Sequence, residues 1–135
     1  MPWQCSCSDS DELEEELVEG IKAEVTFSGG SVEFTNDIDT AFEDVEVVYA
    51  KSWGSKNLYG KHEADILERS QYRSKWIVDE AKMRRTSDAI FMHCLPVRRN
   101  VIVTDAVIDS GKSVVIDEAE NRLHIQKAIL TELIK

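Results

Sequence analysis

An α/β fold, with a parallel sheet flanked by helices, is predicted by three observations. Apolar, β-branched runs punctuate the chain at Val45 to Ala50 (VEVVYA), Ala89 to His93 (AIFMH) and Ser113 to Asp117 (SVVID). Such runs read as strands buried on both faces. Helical patterns alternate with them, and that alternation predicts parallel pairing. Polar clusters follow the strand ends, where open α/β sheets bind their ligands.

The elements follow in order. Met1 to Ser8 shows no periodicity and reads as a leader, so the domain is expected over residues 9–135. Ser8-x-x-Asp11 resembles a helix start, with acids in the first turn where the dipole favours them. Leu13, Leu17, Val18 and Ile21 give that helix an apolar stripe and an acidic outer face. Gly29-Gly30 mark a turn. Ser31 to Thr35 alternates as a short strand, and Asn36 and Asp37 cap a brief helix through Phe42. After VEVVYA, Lys51 to Arg69 has no sustained period and reads as a long connection, a kind that is usually functional. Asp79 caps a helix through Arg85, AIFMH breaks at Pro96, and Thr104 to Asp109 is a short helix. From Glu118 onward, Ala119, Leu123, Ile129, Leu130, Leu133 and Ile134 form a broad stripe on one helix.

Composition bounds the function. The chain has 135 residues and a net charge of −10, and Asp9 to Glu24 holds eight of its acids. That balance argues against nucleic acid as a partner, because a basic face is needed to replace phosphate counterions. No apolar run approaches the roughly 18 residues of a membrane span. With no Lys or Arg before Lys22, the N-terminus does not read as a targeting peptide, and a cytoplasmic location is the default expectation. Three cysteines make no disulfide framework. Cys5 and Cys7 lack the further ligands that a zinc site needs. No metal and no cofactor are expected.

Phe91 to Asn100 reads FMHCLPVRRN, and its His-Cys-Leu-Pro run resembles a signature of the ornithine transcarbamylases and their relatives. Asp117 to Arg122 (DEAENR) resembles their second C-terminal signature. Tyr49 to Gly54 (YAKSWG) departs from the Ser-Met-Gly loop of the ornithine enzymes and looks like the branch acting on N-acetylornithine or N-succinylornithine. The resemblance runs from about Gly29 to Lys135 and implies a partial C-terminal, amino-substrate-binding domain. Neither a Ser-Thr-Arg-Thr nor a His-Pro-x-Gln segment, which the family uses for carbamoyl phosphate, occurs in the sequence.

The resemblance implies transfer of a carbamoyl group from carbamoyl phosphate to the free amine of an N-acylated ornithine, in arginine biosynthesis. Carried onto matching positions, Cys94, Leu95 and Arg122 contact carbamoyl phosphate, and Lys51 and Leu95 contact the amino substrate. Cys94 followed a His and so could be read as a nucleophile, but neighbours on a strand point to opposite faces, and the family's nucleophile is the amine. Arg98 and Arg99 are either surface charge or a hold on anionic substrate. Ile102 resembles the succinylornithine type, whereas DEAENRLHIQKAI resembles the acetylornithine type. An ornithine carbamoyltransferase fragment, or a non-catalytic interaction domain from a decayed gene, are the alternatives. Homo-oligomerisation is expected, to cover an exposed sheet edge and apolar patch.

Overall fold

The computed structural model describes residues 2–6, 15–52 and 58–134. Cys7, the expected helix start at Ser8 and Asp11, and Trp53-Gly54 of YAKSWG lie outside them. Two compact units divide the chain: Met1–Glu43 with Gly54–Lys75, and Asp44–Trp53 with Trp76–Lys135.

In the first unit, β1 (Pro2–Ser6) pairs in parallel with β2 (Ser31–Thr35), from Pro2 opposite Ser31 to Ser6 opposite Thr35. Residues 2–6 are therefore a strand where the sequence read as a leader. Their backbone groups are satisfied by a partner some 29 positions away in register, which periodicity within five residues cannot reveal. Between the strands runs α1 (Glu15–Phe27), which packs against β2 and keeps its acidic outer face. Gly29 turns the chain at φ +73°, a left-handed conformation that glycine takes without strain. Next comes α2 (Ile38–Ala41), capped as expected by Asp37, whose carboxylate accepts the Asp39 amide at 3.0 Å.

Inside the stretch expected to be an irregular connection, Lys51 to Arg69, begins α3 (His62–Trp76), which runs on past Arg69. It has no apolar stripe to betray it. Glu63 and Asp65 in its first turn and Arg73 and Lys75 in its last suit the helix dipole, and Asp65 pairs with a largely buried Arg69 one turn on.

The second unit carries β3 (Val47–Tyr49) and β4 (Ile90–Met92), paired in parallel with Val48 opposite Phe91. The α/β class with parallel pairing holds. Burial of β3 on both faces does not: Val47 and Tyr49, which share one face of the strand, are 47% and 48% exposed. Asp79 caps α4 (Glu80–Met83) as expected, accepting the Lys82 amide at 2.9 Å, and Thr104, read as the first residue of a short helix, is the cap of α5 (Asp105–Ile108). The third strand expected at Ser113 to Asp117 is reduced to one bridge between Ser113 and Phe91. From Val115 the chain is already helical, in α6 (Val115–Leu133). Asp117 and Glu118 then fall in the first turn of a helix, where its dipole favours acids, and this outweighs the strand preference of Val-Val-Ile.

Phe91 is fully buried, among a core that includes Val78, Ile102, Val103, Val107 and Val115. Beyond its first two turns α6 is solvent-exposed, including Leu123, Ile125, Ile129 and Leu130. No helix among the described residues is long and apolar enough to cross a membrane. Truncation of Phe91 to alanine empties the centre of this unit, so Phe91→Ala is expected to lower unfolding free energy by about 3–5 kcal/mol. Urea denaturation monitored by circular dichroism checks this, and an unchanged midpoint would show that Phe91 is not the packing centre.

Candidate functional site

The parallel register of β3 and β4 makes their carboxyl ends coincide. The amide of Ala50, one residue past β3, donates at 3.0 Å to the carbonyl of Met92, the last residue of β4. Lys51 therefore leaves β3 beside His93 and Cys94 as they leave β4. The start of α6 brings Glu118 and Arg122 to the same edge, because Val114 donates to the Phe91 carbonyl at 3.0 Å just before the helix begins.

All four residues expected from the sequence to form the site are brought together here. The Lys51 Nζ donates to the Cys94 Sγ at 3.3 Å, and the Arg122 Nη1 donates to the Cys94 carbonyl at 2.9 Å. Leu95, next along, sits at φ +44° before a cis Leu95–Pro96 bond. A bulky residue in that left-handed region costs on the order of 1–3 kcal/mol and persists where its surroundings hold it. What holds it is visible: the Leu95 amide donates to the His93 Nδ1 at 3.0 Å.

His93 is 1% exposed. With Nδ1 accepting, its neutral ring carries the proton on Nε2. Burial pulls its proton affinity below the ordinary 6.5, against the opposing pull of the Glu118 charge, and the Lys51 charge lowers it further. Its ring is thus committed to the Leu95 backbone and not to the thiol. That removes the Cys–His nucleophile pair, and Cys94 is left as a free cysteine beside a lysine.

Tyr49 and Glu118, which sequence reasoning did not single out, complete the edge. The Tyr49 hydroxyl donates to the Glu118 Oε1 at 2.7 Å, and this bond to a carboxylate pushes the phenol up to about 12. Their types and places in YAKSWG and DEAENR were visible, but their pairing across 69 residues was not. The Glu118 Oε2 and His93 Nε2 are buried without a hydrogen-bond partner among the described residues.

The ambiguity over Arg98 and Arg99 is resolved for Arg99. Its guanidinium bonds Asp109 at 2.7 and 2.6 Å and Asp105 at 2.8 Å, tying the loop after β4 to α5. Those bonds hold both carboxyls below the usual carboxylate range and keep Arg99 charged. Lys51 and Arg122 differ: among the described residues neither is paired with a carboxylate. In a chain of net charge −10, two unneutralised cations converge on one cysteine. No cluster of His, Cys, Asp or Glu able to hold a metal occurs among the described residues.

The arrangement offers a charged fork, an ammonium and an exposed backbone turn. Cationic and hydrogen-bonding groups of this kind stabilise an anionic ligand and the charge that develops on its oxygens.

The profile described as "Aspartate/ornithine carbamoyltransferase, Asp/Orn binding domain" matches residues 1–133. N-acetylornithine carbamoyltransferase of Xanthomonas campestris pv. campestris is 49% identical over 122 residues, which cover 90% of this chain and 36% of that protein. Ornithine carbamoyltransferase of Pyrococcus horikoshii is 40% identical over 124 residues, covering 91% and 38%. A crystal structure of acetylornithine transcarbamylase complexed with acetylcitrulline superposes with a TM-score of 0.82 at 46% identity, covering 99% of this chain and 40% of that one. The chain therefore spans a little over a third of the length of the curated relatives it matches.

Because the buried His93 resists a proton that the unfolded chain accepts, its linkage has a definite sign. Stability is full above about pH 6.5 and falls as the pH drops through that value towards the lowered folded one. His93→Asn, which cannot titrate, is expected to flatten that limb. Urea midpoints from pH 7.5 to 5 check it; a midpoint rising on acidification would show that His93 gains its proton in the folded state.

Proposed function

The chain belongs to the aspartate/ornithine carbamoyltransferase family, and from that premise we propose that it supplies the amino-substrate side of a carbamoyltransferase active site. The reaction is transfer of a carbamoyl group from carbamoyl phosphate to the free amine of N-acylated ornithine, in arginine biosynthesis in the cytoplasm. The single observation that carries this reading is the convergence of Lys51 and Arg122 on Cys94 without carboxylate partners among the described residues. Support also comes from YAKSWG and from the higher identity to the N-acetylornithine enzyme than to the ornithine enzyme, 49% against 40%.

Each residue has a role in that reaction. The amine lone pair forms the new C–N bond as the bond from the carbamoyl carbon to the phosphate oxygen breaks, and the proton that the amine gives up goes to the departing phosphate. Arg122 offers its planar fork to the oxygens of carbamoyl phosphate, where negative charge grows as phosphate leaves. The carbonyls of Cys94 and Leu95 accept hydrogen bonds from the carbamoyl NH2 and orient the incoming amine; a carbonyl has two lone pairs, so the bond from Arg122 leaves Cys94 one. Lys51 takes the substrate carboxylate. Metal and cofactor have no part in this scheme. The exposed apolar residues of α6 are covered by a second copy of the chain, giving a homo-oligomer.

Since the sequence holds no Ser-Thr-Arg-Thr segment, the 135-residue chain by itself is expected to form no ureido product from ornithine, N-acetylornithine or N-succinylornithine. Product appearing at an enzyme-like rate would sink that expectation. Amide shifts at Lys51, Leu95 and Arg122 should still move on titration with carbamoyl phosphate and N-acetylornithine. Arg122→Ala should weaken the response to carbamoyl phosphate by about tenfold or more, the effect of losing a charge-assisted hydrogen bond. Shifts confined to other parts of the chain would refute the site. Sedimentation at micromolar concentration tests the assembly, with a stable monomer counting against it.

A further inference from the structure

We propose that His93 is a positioning residue: its Nδ1 holds the Leu95 amide and so fixes the Cys94 and Leu95 carbonyls in the orientation that substrates meet. The inference rests on the carbamoyl-transfer reading for what those carbonyls contact, although the hydrogen bond itself does not depend on it. Nothing in the reaction asks a buried imidazole to act on substrate, since His93 is 1% exposed and the amine is its own nucleophile. What the turn asks for is an acceptor. Leu95 sits at φ +44°, and its amide points back to a ring two residues earlier, at 3.0 Å, in a segment with no strand partner.

The acceptor works in one protonation state only. A neutral ring with its proton on Nε2 leaves the Nδ1 lone pair for Leu95; a second proton, on Nδ1, turns acceptor into donor and sets two N–H groups against each other. The surroundings bias the ring towards the useful state. Burial disfavours the charged form, and Lys51, after β3, adds to that. Glu118 on α6 is the opposing anion, and Tyr49 on β3 binds its Oε1. Cys94, on the chain between His93 and Leu95, is engaged by Lys51 and Arg122. The Nε2 proton and the Glu118 Oε2 are a buried donor and a buried acceptor in the same unit, each without a partner among the described residues. Unpaired groups of that kind are costly.

Long-range nitrogen NMR of the imidazoles in the intact chain tests this. The expected result is a neutral His93 ring protonated at Nε2, with a Leu95 amide shift that follows the His93 titration. His93→Asn sets a side-chain oxygen where Nδ1 was; it should keep the Leu95 amide in place and abolish its pH dependence. His93→Leu should displace that amide and weaken the N-acetylornithine-induced shifts about tenfold, as for a lost hydrogen bond to a part-buried donor. A ring protonated at Nδ1, or a Leu95 amide indifferent to loss of His93 in folded protein, overturns the proposal. Should His93→Leu fail to fold, the tautomer and the His93→Asn rescue decide. Wild-type chain giving no shift with carbamoyl phosphate or N-acetylornithine overturns the substrate reading, and with it this role, while leaving the tautomer result standing, so the two failures are told apart.

Discussion

Everything at the candidate site depends on the parallel pairing of β3 with β4. Only three residues from each strand take part, yet they set the register that stops both strands at one edge. Phe91, fully buried and opposite Val48, anchors the pair in the core of its unit. Its backbone also bonds on the other side, to Lys112 and Val114, which is what brings the start of α6 to the same edge. A shift of one residue would turn every side chain of β4 to the opposite face and separate Lys51 from Cys94.

On that frame, charge is distributed with a bias that the overall composition hides. The chain is strongly acidic, and eight of its 26 acids fall in the segment from Asp9 to Glu24. Arg99 is neutralised by Asp105 and Asp109 and serves the loop. Lys51 and Arg122 bond a sulfur and a carbonyl, and not a carboxylate, among the described residues. The acid nearest to the edge, Glu118, is turned inward and occupied by Tyr49.

Rigidity at the edge is supplied by side chains that bond the backbone. The Cys94–Leu95 turn is held by His93 behind it and by Arg122 in front of it. Loops that carry function are generally positioned by a rigid scaffold, and here the scaffold reaches into the loop through one imidazole. In contrast, α6 leaves the core of the unit after its first two turns, and its apolar residues are in water. That combination of a finely held turn and an uncovered helix is a property of the second unit by itself.

By itself, the sequence determined the α/β class, the caps at Asp37 and Asp79, the positions of β2 and β4, and the residues worth testing at the site. These are local matters: capping side chains act within three residues, and a buried strand must be apolar along its own length. Tertiary structure decided the rest. It made residues 2–6 a strand by giving them a partner, and left one face of β3 half exposed. It turned SVVID into a bridge and the start of a helix, and placed α3 where no apolar stripe announced it. It also paired Tyr49 with Glu118 and committed His93 to the Leu95 amide. Each of those outcomes depends on which groups meet across the chain, and a one-dimensional pattern carries spacing along the backbone, not distance through space.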